Sequence, residues 1–386
     1  MKALITPQDA FERIQSVWKF HAVESIDSLH SANRILAEEI HADRDQPPFH
    51  RVMMDGYAFH TSQVVAGNPL EVRAVQGAGE AVIVTEGVVE IMTGAALPAH
   101  CNAVMPYEKT SRSGNEVTFL SNDIKPFMHV HAQGLDKKQG DILLRNNEVL
   151  SAADVATLVA VGKPTVAVFK RPRIALISTG NELVPVNEVP AANQIRSSNK
   201  EMLYALLAPY ASEISLHHLP DDRQALNQFL QGVSQQYDVL CFSGGVSMGK
   251  YDYVASELEN ACVQTHFHGV QQRPGKPFFF GTRQQQLIYA FPGNPVSVLH
   301  CASRFLLPFL RTSFISEVKL NAPISNTTGL FFYKPVQLKN DGSVEVIQQN
   351  GSGDFMGMHG ATGFVELAPN ASYTAGERLP YFGFQP

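Results

Sequence analysis

Between Asp238 and Leu258 an apolar run, Val239-Leu240-Cys241-Phe242, leads through Ser243-Gly244-Gly245-Val246-Ser247-Met248-Gly249-Lys250-Tyr251-Asp252 into the helical stretch Tyr253–Leu258. A buried strand followed by a glycine turn and a helix constrains the chain to an α/β layer, with the turn at the strand's carboxyl end. Glycine lets the backbone approach an anionic group closely, and free N–H groups at a helix start point towards it. A tight turn with no ligand fits the same residues, so the rest of the chain has to decide between the two.

The surroundings repeat the pattern. From Arg173 the spacing predicts a strand at Ile174–Ile177, a helix at Asn199–Leu207, a strand at Ile214–His217 and a helix at Arg223–Val233. After the glycine turn come a strand at Val263–His266, a hairpin of Lys276–Phe280 with Leu287–Phe291, and a helix opening at Asn294-Pro295. Such alternation means a mostly parallel sheet covered on both faces, and open sheets of this kind bind ligands beyond their strands' carboxyl ends.

Flanking this layer the rhythm differs. Helical spacing is read at Pro7–Val17 and Ser31–Ile40, and Ser151-Ala152-Ala153-Asp154 has the form of a capping box opening a further helix. Between them, short apolar runs at Val72–Val75, Ala81–Val84, Val88–Met92, Ala103–Tyr107 and Val117–Leu120 predict a small β module inserted into a helical domain. Residues 321–386 predict a terminal β-barrel or sandwich. The expected boundaries are 1–44 with 141–170 for the split helical domain, 45–140 for the inserted β domain, 171–320 for the α/β domain and 321–386 for the C-terminal β domain.

A chain of 386 residues, 44% hydrophobic and 17% charged, without a membrane-length apolar run, is expected to be globular and soluble. Its net charge of −6 argues against non-specific nucleic-acid binding. The first residues run into an amphipathic helix with no signal-peptide core. Cys101, Cys241, Cys262 and Cys301 lack metal-type spacing, which predicts four buried thiols in a reducing, cytoplasmic setting. The histidine pairs, such as His129 with His131, show no third ligand and read as polar or partly buried side chains.

Candidate chemistry gathers at three strand ends of the α/β layer. Ser178-Thr179-Gly180-Asn181-Glu182 follows the first strand, the Ser243 turn follows another, and Phe291-Pro292-Gly293-Asn294-Pro295 closes the hairpin, with Asn294 suited to an N-cap and Pro295 to the first helical position. Arg273-Pro274-Gly275-Lys276 adds a cationic turn of rigid backbone. Glu182, Asp221, Asp222 and Asp252 bring carboxylates to the same loops, and acids beside a phosphate call for a divalent cation between them. Together these suggest a phosphoanhydride ligand with magnesium.

Several motifs now coincide in order: Met54-Asp55-Gly56-Tyr57-Ala58, Ile91-Met92-Thr93-Gly94-Ala95, Gly140-Asp141-Ile142-Leu143-Leu144, Ser178–Leu183, Gln194–Asn199, Ser243–Tyr253, Arg273–Phe278 and Pro292–Ser297. Through them the chain resembles the molybdopterin molybdenumtransferase family, MoeA and the gephyrin E domain. The resemblance implies the four domains above and an elongated homodimer in which one subunit's inserted domain faces the other's α/β site. It implies an enzyme that takes adenylylated molybdopterin and molybdate, inserts molybdenum into the dithiolene and releases AMP with Mg²⁺ assisting. The molybdopterin adenylyltransferase is an implied partner, whereas nucleic acid and membrane are not.

Carried over position by position, Asp55, Thr93, Glu182, Asp221 and Asp252 match catalytic acidic or hydroxyl positions, with Asp221 and Asp252 as magnesium ligands. Asp136, Ser243, Gly244, Gly245, Val246, Ser247, Arg273, Pro274, Gly275, Lys276, Pro292, Gly293, Asn294, Pro295 and Ser352 match substrate-binding positions. The chain departs from the pattern at His50, Val52 and Leu135, where Asp, Ser and Glu are usual, and at Lys250, which reverses a charge. These departures leave two other readings open: a catalytically weakened scaffold that binds molybdopterin, and a nucleotide pyrophosphatase or adenylyltransferase sharing the α/β domain.

Overall fold

The computed structural model describes residues 4–18, 22–65, 67–121, 123–246, 253–311 and 316–384. They divide into two compact units, one drawn from Met1–Glu24 with Phe169–Pro386 and the other from Ser25–Val168.

In the first unit a six-stranded sheet runs in the order Glu213–Leu219, Arg173–Thr179, Val239–Ser243, Gln286–Phe291, Phe279–Arg283, Gln264–His268. The first four strands are parallel, and the last two complete an antiparallel edge. Successive side chains of a strand face opposite sides. Ile174, Leu176, Val239, Cys241 and Tyr289 therefore pack under the helices Pro7–Val17, Asn199–Leu207 and Pro295–Phe305. Ala175, Ile177, Leu240, Phe242 and Ile288 pack under Arg223–Gln231 and Val254–Asn260. The Pro7–Val17 helix, closed by a reciprocal capping box between Thr6 and Asp9, thus belongs to the core of the α/β layer through Ala10, Phe11 and Ile14.

Register fixes where the loops leave. Ser178 pairs with both His218 and Ser243, and Ser243 with Phe291, so the carboxyl ends of four parallel strands lie level. The loops beginning at Gly180, Pro220, Gly244 and Pro292 consequently emerge along one edge.

The C-terminal strands close on themselves. Phe331–Leu338 pairs with Ser343–Val346, then Ser316–Leu320, Arg378–Gly383 and Gly363–Leu367 follow, and the last pairs back to the first, giving a five-stranded barrel. Gln272–Arg273 adds in parallel to the outside of Phe331–Leu338, with Arg273 opposite Phe332. That short pairing brings the cationic turn to the barrel.

The second unit holds a six-stranded sheet in the order Ala103–Pro106, Gly56–Phe59, Val88–Ile91, Leu70–Gln76, Glu116–Phe119, Thr110–Ser113, with separate cores on its faces. A smaller core joins Leu36 and Ile40 to Leu144, Leu150, Leu158, Val166 and Val168, beneath the helix Ala152–Ala160 with its Ser151–Asp154 capping box.

Four expectations are corrected. Ser31–Ile40 is not a helix: Ile35 and Leu36 bridge to Val149 and Val168, and Ile40 lies in a two-residue strand. Ala81–Val84 forms no strand, and Ile83 is fully exposed there. Cys262 is exposed rather than buried, while the other three thiols are buried. In the hairpin, the strand begins at Phe279 rather than Lys276. Among the described residues no helix is long and apolar enough to cross a membrane.

Candidate active site

The level strand ends of the α/β sheet carry buried polar atoms, Thr179 Oγ1, Ser243 Oγ and Asn199 Oδ1, that find no hydrogen-bond partner among the described residues. Leaving a buried polar atom unmade costs free energy, so such atoms mark a place for a ligand or water. They converge at the glycine turn. Gly244 has a φ of +98°, and a Cβ there would lie 2.9 Å from Thr179 Oγ1 and 3.0 Å from Thr179 O. Only glycine allows that approach. Gly244 N donates to Phe291 O at 3.1 Å, and Asn199 Nδ2 donates to Gly293 O at 2.7 Å, which ties the three loops together. Val246 is buried, and its carbonyl accepts from His268 Nε2 at 3.0 Å.

Two carboxylates flank this edge. Glu182 curls back over Gly180, where its oxygens would meet an added Cβ at 2.5 and 2.6 Å. Asp221 and Asn181 clasp each other across neighbouring strand ends, Asn181 N donating to Asp221 Oδ2 at 3.2 Å and Asp221 N to Asn181 Oδ1 at 3.1 Å. Asp222, by contrast, is a helix cap, accepting from Ala225 N at 2.9 Å. Among the described residues no group of three or more His, Cys, Asp or Glu is gathered to hold a metal by protein ligands alone. Glu182 and Asp221 fit a Mg²⁺ that takes its other oxygens from a phosphate, the way this ion is usually held. Ser247, Lys250 and Asp252 lie outside the described residues.

Beside this edge is a cleft of about 620 Å³, walled by the Arg273–Pro277 turn, by Pro292, Gly293, Asn294 and Ser297, and by Leu330, Phe332, Lys334, Gln349, Gly351 and Ser352 of the barrel. Arg273, Pro274, Gly275 and Lys276 therefore share one wall, and Pro295 begins the helix behind it. Asn294 occupies the cap position without capping: its amide donates instead to Ser352 Oγ at 2.8 Å, while Val296 N donates to Ser352 O at 3.2 Å. Ser352 supplies what the expected asparagine cap does not. Lys334, Phe332 and Gln349 were not anticipated. Their place depends on the pairing of Arg273 with Phe332, and the alternation of Leu330, Phe332 and Lys334 beside the cationic turn was the available signal.

In the second unit Asp55 and Thr93 meet directly. One oxygen of Asp55 accepts from both Thr93 N and Thr93 Oγ1, each at 2.6 Å. These two bonds, the hydroxyl's first, hold the Asp55 pKa below the ordinary aspartate value. Asp136 stands elsewhere in the unit, bonded at 2.8 Å to His131 Nε2, whose Nδ1 lies 3.3 Å from Arg51 Nη2. Two of the departures from the family pattern, His50 and Val52, have structural uses. His50 Nδ1 accepts the Gln133 amide at 3.0 Å, a task a carboxylate can also perform, and Val52 is 1% exposed within the core. Leu135 is exposed.

Residues 5–162 match the family model described as the MoeA N-terminal region (domain I and II), and residues 175–312 the one described as a probable molybdopterin binding domain. A molybdopterin molybdenumtransferase of Synechocystis sp. is 34% identical over 99% of this chain and 100% of its own length. The enzyme of that name from Haemophilus influenzae is 31% identical, over 74% of this chain and 72% of its own. A crystal structure of a molybdopterin biosynthesis MoeA protein from Pyrococcus horikoshii matches with a TM-score of 0.83 at 28% identity, covering 100% of both chains.

Proposed function

The chain belongs to the molybdopterin molybdenumtransferase family, an enzyme family of molybdenum cofactor biosynthesis, and on that premise we propose that it transfers molybdenum from molybdate into adenylylated molybdopterin with release of AMP. The observation that carries the reading is the continuity between the unpaired oxygens of Thr179 and Ser243 at the glycine turn and the cationic cleft that begins at Gly293. A pterin phosphoanhydride needs both a close-approach backbone and a positive wall.

The chain's own residues have distinct tasks in this reading. The glycine turn and Thr179 seat the phosphate, Arg273 and Lys276 balance negative charge as a water oxygen bonds to the molybdopterin phosphorus, losing its proton to solvent, and the anhydride P–O electron pair leaves with AMP, and Asn294 with Ser352 orients the pterin end. Glu182 and Asp221 would hold Mg²⁺, with Asp252 as a further candidate ligand; the ion would supply charge neutralisation at the phosphate oxygens. Asp55, kept ionised by Thr93, contributes an acceptor in the same reaction, and Asp136 a substrate contact. The homodimer and the four-domain division belong to the same proposal, with the Pro7–Val17 helix counted with the α/β layer whose core it joins.

The test supplies purified protein with adenylylated molybdopterin, Mg²⁺ and molybdate, following AMP and active cofactor together. The proposal expects both in step. AMP without cofactor would point to a pyrophosphatase, tight binding without AMP to a scaffold, and neither would overturn the assignment. Sedimentation of the intact chain tests the dimer.

A further inference from the structure

The helix Asn199–Leu207 starts at the carboxyl edge of the α/β sheet, and its first two side chains reach in different directions. Asn199 Nδ2 donates to Gly293 O at 2.7 Å, just past the Gln286–Phe291 strand, while Lys200 Nζ donates to Ser178 Oγ at 3.4 Å on the Arg173–Thr179 strand. Between those two strands in the sheet runs Val239–Ser243. The helix start therefore stands over the strand that ends in the glycine turn. Ser178 and Ser243 are register partners, so their side chains leave the same face of the sheet about 5 Å apart. Ser243 is 3% exposed, and its Oγ, like Asn199 Oδ1, has no hydrogen-bond partner among the described residues. The Gln194–Asn199 motif stops one residue short of Lys200. That side chain is 14% exposed, with Glu201 Oε1 3.7 Å from its Nζ and the other Glu201 oxygen accepting from Ser197 Oγ at 3.0 Å. An ammonium has three donors, and a well-formed bond from one of them is about 2.9 Å long. Lys200 is thus a loosely held, largely buried cation beside an unpartnered hydroxyl.

We propose that Lys200 is a further substrate-binding residue, whose ammonium takes the phosphate of the nucleotide half of the substrate at the Ser178 side of the glycine turn. The inference rests on the reading of that turn as a phosphate seat, and it adds a cation from the α/β layer itself. Moving from Ser178 Oγ to a phosphate oxygen exchanges a long bond to a neutral hydroxyl for a charge-assisted one. Ser178 keeps a partner in the exchange, since its Oγ lies 3.1 Å from His218 Nδ1. Ser198, at the cap position, makes no side-chain cap bond, so N–H groups of the first helical turn are open to the same anion. Two observations favour a nucleotide over a bare oxyanion. Asn199 Oδ1, oriented by the amide's bond to Gly293 O, can only accept, which suits a sugar hydroxyl and repels an oxyanion. The strand ends also run in order from the cleft at Gly293 through Ser243 to Ser178, so a substrate with its pterin end in the cleft carries its nucleotide towards Lys200.

Calorimetric titration of the intact protein with AMP alone and with molybdate alone tests this for wild type, Lys200→Gln and Lys200→Arg, alongside urea unfolding of each. The glutamine variant is expected to lose about tenfold in AMP affinity, the scale of a hydrogen bond to a charged group, and to bind molybdate as wild type does. Its AMP affinity should also depend less steeply on salt, because one of the screened charges is gone. Lys200→Arg should recover most of the affinity. In turnover the glutamine variant should raise KM for adenylylated molybdopterin while keeping kcat, the mark of a contact made equally in ground and transition states. Unchanged AMP affinity in Lys200→Gln overturns the assignment, and so does a loss matched by a fall in unfolding free energy, which would mark a structural lysine. Loss confined to molybdate would give Lys200 to the oxyanion cargo and overturn the nucleotide contact. A wild type that does not bind AMP overturns the reading of the glycine turn beneath it.

Discussion

Thr93 donates its amide and its hydroxyl to a single oxygen of Asp55, both at 2.6 Å. The second Asp55 oxygen is left outside this pair of bonds, ionised and available. Because the folded pKa is depressed, the contact is present above the unfolded aspartate pKa and is lost as pH falls through the lower folded one. Thr93→Ala removes the hydroxyl and keeps the amide. Its expected signature is an upward, partial shift of the Asp55 pKa by NMR titration, together with turnover reduced by about tenfold, the worth of one hydrogen bond to a charged group. Thr93→Ser should recover both. An unmoved Asp55 pKa in the alanine variant would show that the hydroxyl is idle.

Gly244 is the position where a single carbon should do most damage. With φ at +98° and Thr179 oxygens 2.9 and 3.0 Å from the Cβ that alanine would add, the turn must both strain and retreat from Thr179. Gly244→Ala is expected to destabilise the α/β layer by about 1–3 kcal/mol in urea unfolding. AMP affinity should fall further than stability explains, because the displaced atoms are the seat itself. Wild-type affinity would remove the glycine turn from the phosphate site.

Ser352 and Asn294 are 58 residues apart in sequence and joined by one hydrogen bond of 2.8 Å. Ser352→Ala leaves the backbone contact to Val296 intact, so unfolding free energy should change by less than about 1 kcal/mol. Cofactor formation should nevertheless drop, because Asn294 is freed to turn back and cap its own helix. A variant that forms cofactor at the wild-type rate would confine Ser352 to a structural role.

How much could be read beforehand depends on the range of the interactions. The sheet of the α/β layer was legible because Ile174–Ile177 and Val239–Phe242 are continuous apolar runs separated by helical spacing, and both signals are local. Ser31–Ile40 misled for the converse reason: Leu36 and Ile40 stand at helical spacing, yet they are buried by bridges and packing against residues more than a hundred positions away. Tertiary pairing overrode local periodicity. At the site, Arg273 and Gly244 announce themselves by composition, but Lys334 acquires meaning only through the register that sets Arg273 opposite Phe332. The replacement of Asn294 by Ser352 at the helix start is likewise a contact between distant segments.

His50 allows the weakened-scaffold reading to be tested directly. Its Nδ1 accepts the Gln133 amide, so a carboxylate there would repeat a bond already made. His50→Asp is expected to leave AMP release within about twofold of wild type, as for a surface exchange that preserves its hydrogen bond. A gain of tenfold or more would mean that histidine impairs the enzyme and that this departure has a functional cost.

The barrel is pinned to the α/β layer by a charge placed among rings. Arg304, 2% exposed, stacks on Phe11, Phe305 and Phe382 at 4.9, 5.2 and 4.6 Å. Its Nε and Nη1 have no hydrogen-bond partner among the described residues, and its counter-charge is Glu366, 3.6 Å away, which also accepts from Tyr333 Oη at 2.5 Å. Neutralising one member leaves the other buried and uncompensated, which costs about 3–5 kcal/mol. Glu366→Gln should therefore unfold at markedly lower urea, whereas the double variant Glu366→Gln/Arg304→Met, apolar where the guanidinium was, should regain much of the loss. A double-mutant cycle with no coupling would show that the aromatic rings alone hold Arg304, and that Glu366 serves only Tyr333.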